Sequence, residues 1–351
     1  DALRFTLLVG STPGNDMNLS LKKVEANRNF ANKIWNASRL ILGALENAPK
    51  SAEAAPQYTS ADAWIWARQK QLRQNVKRLF ESHQYGEAGR QIYDFFWSEF
   101  ADWYLEIAKL QMAEGGDRAF YTADALVSVL DTCLRLLHPF TPFLTEELWG
   151  YLKAACQEHG GEIGLPDVAE GNWSAALIVA PWPEPMPDEG WENQAINDFE
   201  LLQEIVRSIR NVRAEKNVKP GQKIPATFVA GEFAHTLEHE AAALANLTRL
   251  DLDQVSIHHE LAEKPEDSIV LVVGAVEIYL PLAGMVDLAE ERTRLEKELA
   301  ETESQIARLE KLLNSPFAEK APANVVQGER ERLAGFTETA EKLKTQIQNS
   351  N

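Results

Sequence analysis

Over residues 1 to about 155, apolar positions recur at intervals of three and four, the period of helices that bury one face. Ser20 is placed to cap a helix running to about Leu45, and Ser60 to cap the next, ADAWIWARQKQLRQNVKRLFESH. In the first of these, Val24, Phe30, Ala31, Ile34, Trp35, Ile41 and Leu42 form the apolar side. Tyr85-Gly86 separates the second from EAGRQIYDFFWSEFADWYLEIAKLQ, which reads as one helix. RAFYTADALVSVLDTCLRLLH then stops before Pro139, and a short helix restarts after Pro142 with Thr145 as its cap. Short polar joints between amphipathic helices predict an antiparallel helical bundle.

The period changes twice further on. Five prolines in LPDVAEGNWSAALIVAPWPEPMPDEG exclude a continuous helix and suggest a strap over the bundle. A helix over about 191–215, a strand at KIPATFVAG, a helix over 232–247 and strand at DSIVLVVGAVEIYLPL, with Gly274 as its turn, make a small α+β domain. In the last segment Leu288, Leu295, Leu299, Thr302, Ile306, Leu309 and Leu313 keep a heptad spacing. Val326, Leu333, Phe336, Ala340, Leu343 and Ile347 repeat it after NSPFAEKAP. Two seams around a Pro-bearing turn predict an antiparallel coiled-coil hairpin. The expected class is mainly α, divided into a bundle with its strap over 1–190, an α+β domain over 191–284 and an arm over 285–351.

Composition adds limits rather than identity. Over 351 residues the chain is 45% hydrophobic and 25% charged, ample for buried cores. Cys133 and Cys156 make no C-x-x-C pair, which points to a reducing, cytoplasmic setting and away from a zinc ribbon or disulfide scaffold. The most apolar stretch, 268–286, is interrupted by Gly274, Glu277 and Pro281, so no membrane span is expected. The chain opens at Asp1, inside an amphipathic pattern and with no signal peptide, and reads as a piece of a longer protein.

Catalytic patterns are missing: no phosphate-binding G-x-x-x-x-G-K-[ST], no G-x-S-x-G and no H-E-x-x-H. His235 and His239 have helical i, i+4 spacing, but Thr236 stands where a zincin needs Glu, so no metal site is expected. His138 reads as a helix-end residue meeting the last carbonyls. Basic segments say more, because the net charge is −18 and such a chain ordinarily repels nucleic acid. On a helical wheel (~100° per residue) Lys22, Asn29, Lys33 and Asn36 share a ~60° sector, which Arg28, Asn32 and Arg39 extend. From 27 to 40 there is not one carboxylate. Amides suit base edges and cations suit phosphates. Two further runs, RQKQLRQNVKR at 68–78 and Arg207, Arg210, Arg213, Lys216, Lys219 and Lys223, are candidate basic faces of the same kind.

RNFANKIWNASRL, YDFFWSEFADWYLE, LLHPFTPFLTEELW and APWPEP together resemble the anticodon-binding helical domain of class I aminoacyl-tRNA synthetases. The segment from VDLAEERTRLEKELAETESQIARLEKLL through FAEKAPANVV resembles the C-terminal arm of the valyl-tRNA synthetase family, and the resemblance spans essentially the whole chain. It implies a full-length enzyme that attaches valine to its tRNA with ATP and magnesium. It also implies a fragment, monomeric, that holds no catalytic residue or cofactor and is inactive alone. The family's anticodon contacts fall on Lys22, Lys33, Asn36, Arg39 and Leu40, where Leu40 replaces a common aromatic. The arm implies contacts to the outer corner of the tRNA from Arg308, Lys311 and Lys320. Competing readings are a scaffold that dimerises through its coil, a metal enzyme using His235 and His239, and another branched-chain class I synthetase.

Overall fold

The computed structural model describes residues 1–9, 19–162, 164–165, 173–265, 267–282, 288–314 and 323–349, with side chains in the last two segments described for 297–314 and 326–344. Helices dominate. α1 (Ala2–Val9), α2 (Leu21–Asn47), α3 (Ser60–Glu81), α4 (Tyr85–Asp94), α5 (Leu105–Glu114), α6 (Gly116–Leu137) and α7 (Pro142–His159) pack around a shared apolar core. α6 is buried on nearly every side: apolar residues fill most positions from Ala123 to Leu137, and Ser128, Asp131 and Thr132 between them are buried too.

The ends of these helices refine the expectations. Thr59, not Ser60, caps α3: its hydroxyl accepts the Asp62 N–H while the Asp62 carboxylate accepts the Thr59 N–H, a capping box. That carboxylate also takes the Tyr104 hydroxyl at 2.8 Å and the Arg118 guanidinium at 2.9 Å, so one acid ties three helical segments together. Tyr85 and Gly86, expected to separate the two helices, instead form the first turn of α4. Thr141 holds the capping position of α7 with Pro142 in its first turn, and Thr145 is buried inside it, donating to the Thr141 carbonyl at 2.8 Å.

The third expected helix is not uniform. Between α4 and α5, Phe95–Tyr104 winds as a wider π turn, with the Leu105 N–H reaching back five residues to the Phe100 carbonyl. Buried Phe95, Phe96, Phe100, Ala101 and Tyr104 are spaced by four and five, a period that an i→i+5 turn gathers on one side.

Beyond the strap, α8 (Glu192–Glu215) lies along α3, with Trp64 stacked on Phe199 at 4.2 Å. The strap is pinned to α3 by Lys77 to Glu184 at 2.8 Å and by Gln74 to the Met186 carbonyl. Next come β1 (Ile224–Val229), α9 (Ala234–His239), α10 (Ala241–Thr248), β2 (Leu250–His258), β3 (Ser268–Val273) and β4 (Val276–Pro281). Their sheet is mixed, in order β2-β1-β4-β3, with β1 and β2 parallel across the α9–α10 crossover. Gly274, at φ 56°, turns the β3–β4 hairpin as expected, whereas β2 has no counterpart in the sequence reading. Buried side chains from α1–α7 and from α8 through β4 form one contiguous cluster.

α11 (Leu288–Leu313) and α12 (Ala323–Asn349) pack on one another, with Lys344 reaching Glu303 at 2.8 Å. Thr302, Val326, Ala340 and Leu343 are buried between them, whereas Phe336, placed in the same seam by its spacing, is 37% exposed. Among the described residues, no helix is long and apolar enough to cross a membrane.

Candidate nucleic-acid interface

α2 is fixed by its ends and its buried side. Ser20 accepts the Lys23 N–H, and Phe30, Ile34, Ala37, Ile41 and Leu45 enter the core. The opposite side is polar and exposed: Lys22, Arg28, Asn29, Asn32, Asn36 and Arg39, with Leu40 beside them at 37% exposure. Lys22, Asn29, Asn32, Asn36 and Arg39 make no side-chain hydrogen bond or ion pair with another described residue. Arg28 pairs with Glu25 at 3.0 Å, one turn back.

Two expectations about this helix change. Lys33 is half-buried and ion-paired with Asp102, and its ammonium lies 4.8 Å from the centre of the Trp97 ring. The stretch 27–40 is free of acid along the sequence, but the arc is not free of it in space: Glu25 lies within it one turn before Arg28, and the π segment brings Asp102 to its edge. Trp35, expected in the core, is 37% exposed and meets Tyr151 of α7 edge to face at 6.2 Å. It sits at the margin of the apolar side, where α7 covers only part of it.

The other two basic runs are mostly consumed by the fold. In the α3 run, Arg68 forms two hydrogen bonds to Glu99, both 2.7 Å, and Arg73 reaches Thr132 at 2.6 Å. Lys70 is buried between Glu189 and Glu192, 2.7 Å from each, beside the Trp191 ring. Burial alone would raise the Glu192 carboxyl; hydrogen bonds from the Lys70 ammonium and the Glu189 backbone N–H instead hold it well below the ordinary carboxylate range. In the α8 run, Arg213 is buried and donates to the Gln222 carbonyl at 2.7 Å, and Arg210 donates to the Leu247 carbonyl at 2.9 Å. Arg207 and Arg210 flank the Trp103 ring. These cations join elements; they are not a free basic face.

On the arm, Arg308 and Lys311 come together with Arg332, Glu329 and Phe336 along a groove of about 700 Å³ between α11 and α12. Arg332 is held by Glu329 at 2.8 Å. Lys320 lies outside the described residues. The histidine pair is close, with the Nε2 atoms of His235 and His239 3.2 Å apart. Among the described residues, no group of three His, Cys, Asp or Glu side chains is arranged to hold a metal. His138 meets the Thr145 hydroxyl at 2.8 Å rather than a helix-end carbonyl. Cys133 and Cys156 are buried free thiols, and burial pushes Cys156 up to about 12.

Sequence spacing pointed to the α2 arc but not to Asp102, Trp97 or Tyr151, which arrive from the π segment and from α7 across long stretches of chain. Arg332 was within reach of the heptad reading, since it adjoins Leu333 of the seam.

Comparison with known proteins bears on both regions. The anticodon-binding domain of tRNA ligase matches residues 62–228, and the valyl tRNA synthetase tRNA binding arm matches residues 287–349. The first match begins within α3, so α2 lies outside it. The chain is 39% identical over 347 residues to a valine–tRNA ligase of Dehalococcoides mccartyi, covering 98% of this chain and 37% of that protein. It is 38% identical over 356 residues to the valine–tRNA ligase of Geobacillus stearothermophilus, covering 99% and 38%. With that of Bacillus subtilis it shares 35% identity over 337 residues, covering 95% and 36%. A helical anticodon-binding domain joined to a tRNA-binding arm places the chain among the aminoacyl-tRNA synthetases. Within them it belongs to the valine–tRNA ligase family, and it spans little more than a third of the length of these relatives.

Proposed function

We propose that this chain is the tRNA-recognition part of a cytoplasmic valine–tRNA ligase. α2 meets the anticodon stem-loop and the α11–α12 arm meets the outer corner of the tRNA. The observation that carries the reading is the exposed arc of α2, where Lys22, Arg39 and the amides of Asn29, Asn32 and Asn36 stand without partners among the described residues. Buried or paired, such groups would be structural; free and side by side, they offer phosphate anchors and base-edge readers on one surface. Lys22, Lys33 and Arg39 hold the loop backbone, Asn36 reads a base edge, and Leu40 contributes apolar contact without a ring. Arg308, Lys311 and Lys320 serve the tRNA contact of the arm, an antiparallel coiled-coil hairpin.

The domain division at 1–190, 191–284 and 285–351 belongs to this reading, the first two sharing a core and the arm standing as its own unit. So does a monomeric chain specific for valine isoacceptors. Activation of valine with ATP and magnesium, and its transfer to the tRNA, are the work of the whole ligase and use no residue of this chain. Binding titrations with a valine tRNA transcript test the reading. Asn36→Ala is expected to lose on the order of 1–3 kcal/mol on the cognate anticodon and much less on a mutated one. Arg39→Ala is expected to weaken both equally and to flatten the log–log salt dependence by roughly 0.7. Unchanged affinity in both variants, with the fold intact, would remove α2 from the interface.

A further inference from the structure

The polar arc of α2 is bordered on both sides by tryptophan, and the two borders differ. At one, Lys33 lies over the Trp97 ring. At the other, Trp35 has no cation against it among the described residues; its ring contact is the perpendicular one with Tyr151, at an interplanar angle of 89°. That arrangement leaves both rings substantially in solvent, Trp35 at 37% and Tyr151 at 47% exposure. Tyr151 is also held in place, because its hydroxyl donates to Glu147 at 2.7 Å. On the wheel Trp35 lies only ~20° from Arg28, ~40° from Arg39 and ~60° from Asn32.

We propose that Trp35 and Tyr151 form an aromatic platform on which an unpaired base of the bound tRNA loop stacks. The proposal rests on the reading of α2 as the anticodon face. A single-stranded nucleic-acid site needs a cationic track for the backbone and a π surface for the bases. The track is present in Arg28, Arg39 and Lys22, and Leu40 offers no ring. Trp35 supplies one on the same exposed side, two side chains from the unpartnered amides. Solvent exposure of so large an apolar ring is accounted for if a base covers it in the complex. Glu147, beside the platform, keeps its charge while it accepts from Tyr151, and Glu25 offsets Arg28, so the attraction for a polyanion on this border comes from Lys22 and Arg39, which have no carboxylate partner among the described residues.

Stacking predicts a signature distinct from that of the neighbouring residues. Every base has a π face, so Trp35→Leu is expected to weaken binding of cognate and anticodon-mutated tRNA alike, roughly 5- to 100-fold. No phosphate contact is lost, so the salt slope stays that of the parent. Trp35→Phe keeps a ring and stays within a few-fold of the parent, and a 2-aminopurine placed in the loop is quenched on binding the parent but not Trp35→Leu. Parental affinity in a folded Trp35→Leu chain, while Arg39→Ala weakens binding, overturns the platform and leaves the anticodon reading standing. If Arg39→Ala and Asn36→Ala are silent too, the reading itself fails. Should Trp35→Leu melt early, the more exposed Tyr151→Ala decides: parental affinity and undiminished quenching there overturn the proposal.

Discussion

α2 and α3 carry runs of nearly the same composition. NRNFANKIWNASRL and RQKQLRQNVKR both mix cations with amides and lack acid, and both lie on amphipathic helices. In α2 the polar side meets solvent, and five of its side chains stand without partners among the described residues. In α3 the corresponding groups face the π segment, α6, the strap and the start of α8, and each cation named above finds an acceptor there. A basic run is therefore a statement about one helix only. Whether it becomes a binding surface or internal mortar depends on what packs against it, and here the partners arrive from 31 to 122 residues away in sequence.

The comparison breaks most sharply at Lys70. Its side chain is 8% exposed and that of Glu192 is 7% exposed, so removing the cation strands a buried carboxylate. Lys70→Met is expected to lower the Tm by roughly 5–15 °C. The equivalent change on the other helix, Arg39→Met, is expected to move it by no more than about a degree or two. Thermal unfolding followed by circular dichroism makes both measurements. Equal shifts in the two variants would erase the distinction between the helices.

Acid sharpens the same contrast. Glu192 is held below its ordinary range in the folded chain, so its contribution to stability is complete above the unfolded value, near 4.3 for Glu, and is lost as pH falls through the lower folded value. In Lys70→Met the main counter-charge is gone and burial instead raises the carboxyl. The deficit relative to the parent is then expected to be greatest near pH 7 and to shrink below about pH 5, where Glu192 takes up a proton. A denaturation series in urea between pH 7 and pH 4 follows this gap. A constant gap would mean that Glu192 has been rehydrated in the variant and is not buried unpaired.

Much of this architecture is legible in the sequence because it is local. The caps at Ser20 and near Thr59, the Pro142 restart, the Gly274 turn and the heptad spacing of the arm all follow from residues within a turn or two of one another. β2 was harder to see, since LDLDQVSIH alternates apolar and polar positions only on either side of a phase break at Asp253-Gln254, where its register with β1 also shifts. The π turn was hidden because a pattern that fits three- and four-residue spacing also tolerates five when aromatics crowd the segment. The site divides in the same way. Helical spacing brings Lys22, Asn36 and Arg39 to one side of α2, but the partners of Lys33 and Trp35 come from other elements, and no periodicity within α2 encodes them.

Asp102 is where that non-local contribution bears on binding. In the free chain it neutralises Lys33, which among Lys22, Lys33 and Arg39 is the cation with an ion-pair partner among the described residues. The two side chains are 29% and 46% exposed, so the pair is screened and contributes about 0–1 kcal/mol to stability. Its effect on a polyanion has a definite direction. A phosphate approaching Lys33 must displace the carboxylate or pass close to it, and either costs attraction. Asp102→Asn keeps the size of the side chain and removes the charge, so it is expected to tighten binding of cognate and mutated tRNA alike by about two- to fivefold at low salt. The gain is expected to fade as ionic strength rises, with the Tm within about a degree or two of the parent. Weaker binding in this variant would give Asp102 the opposite role, orienting Lys33 or accepting a hydrogen bond from a base, and the α2 surface would then owe part of its specificity to the π segment.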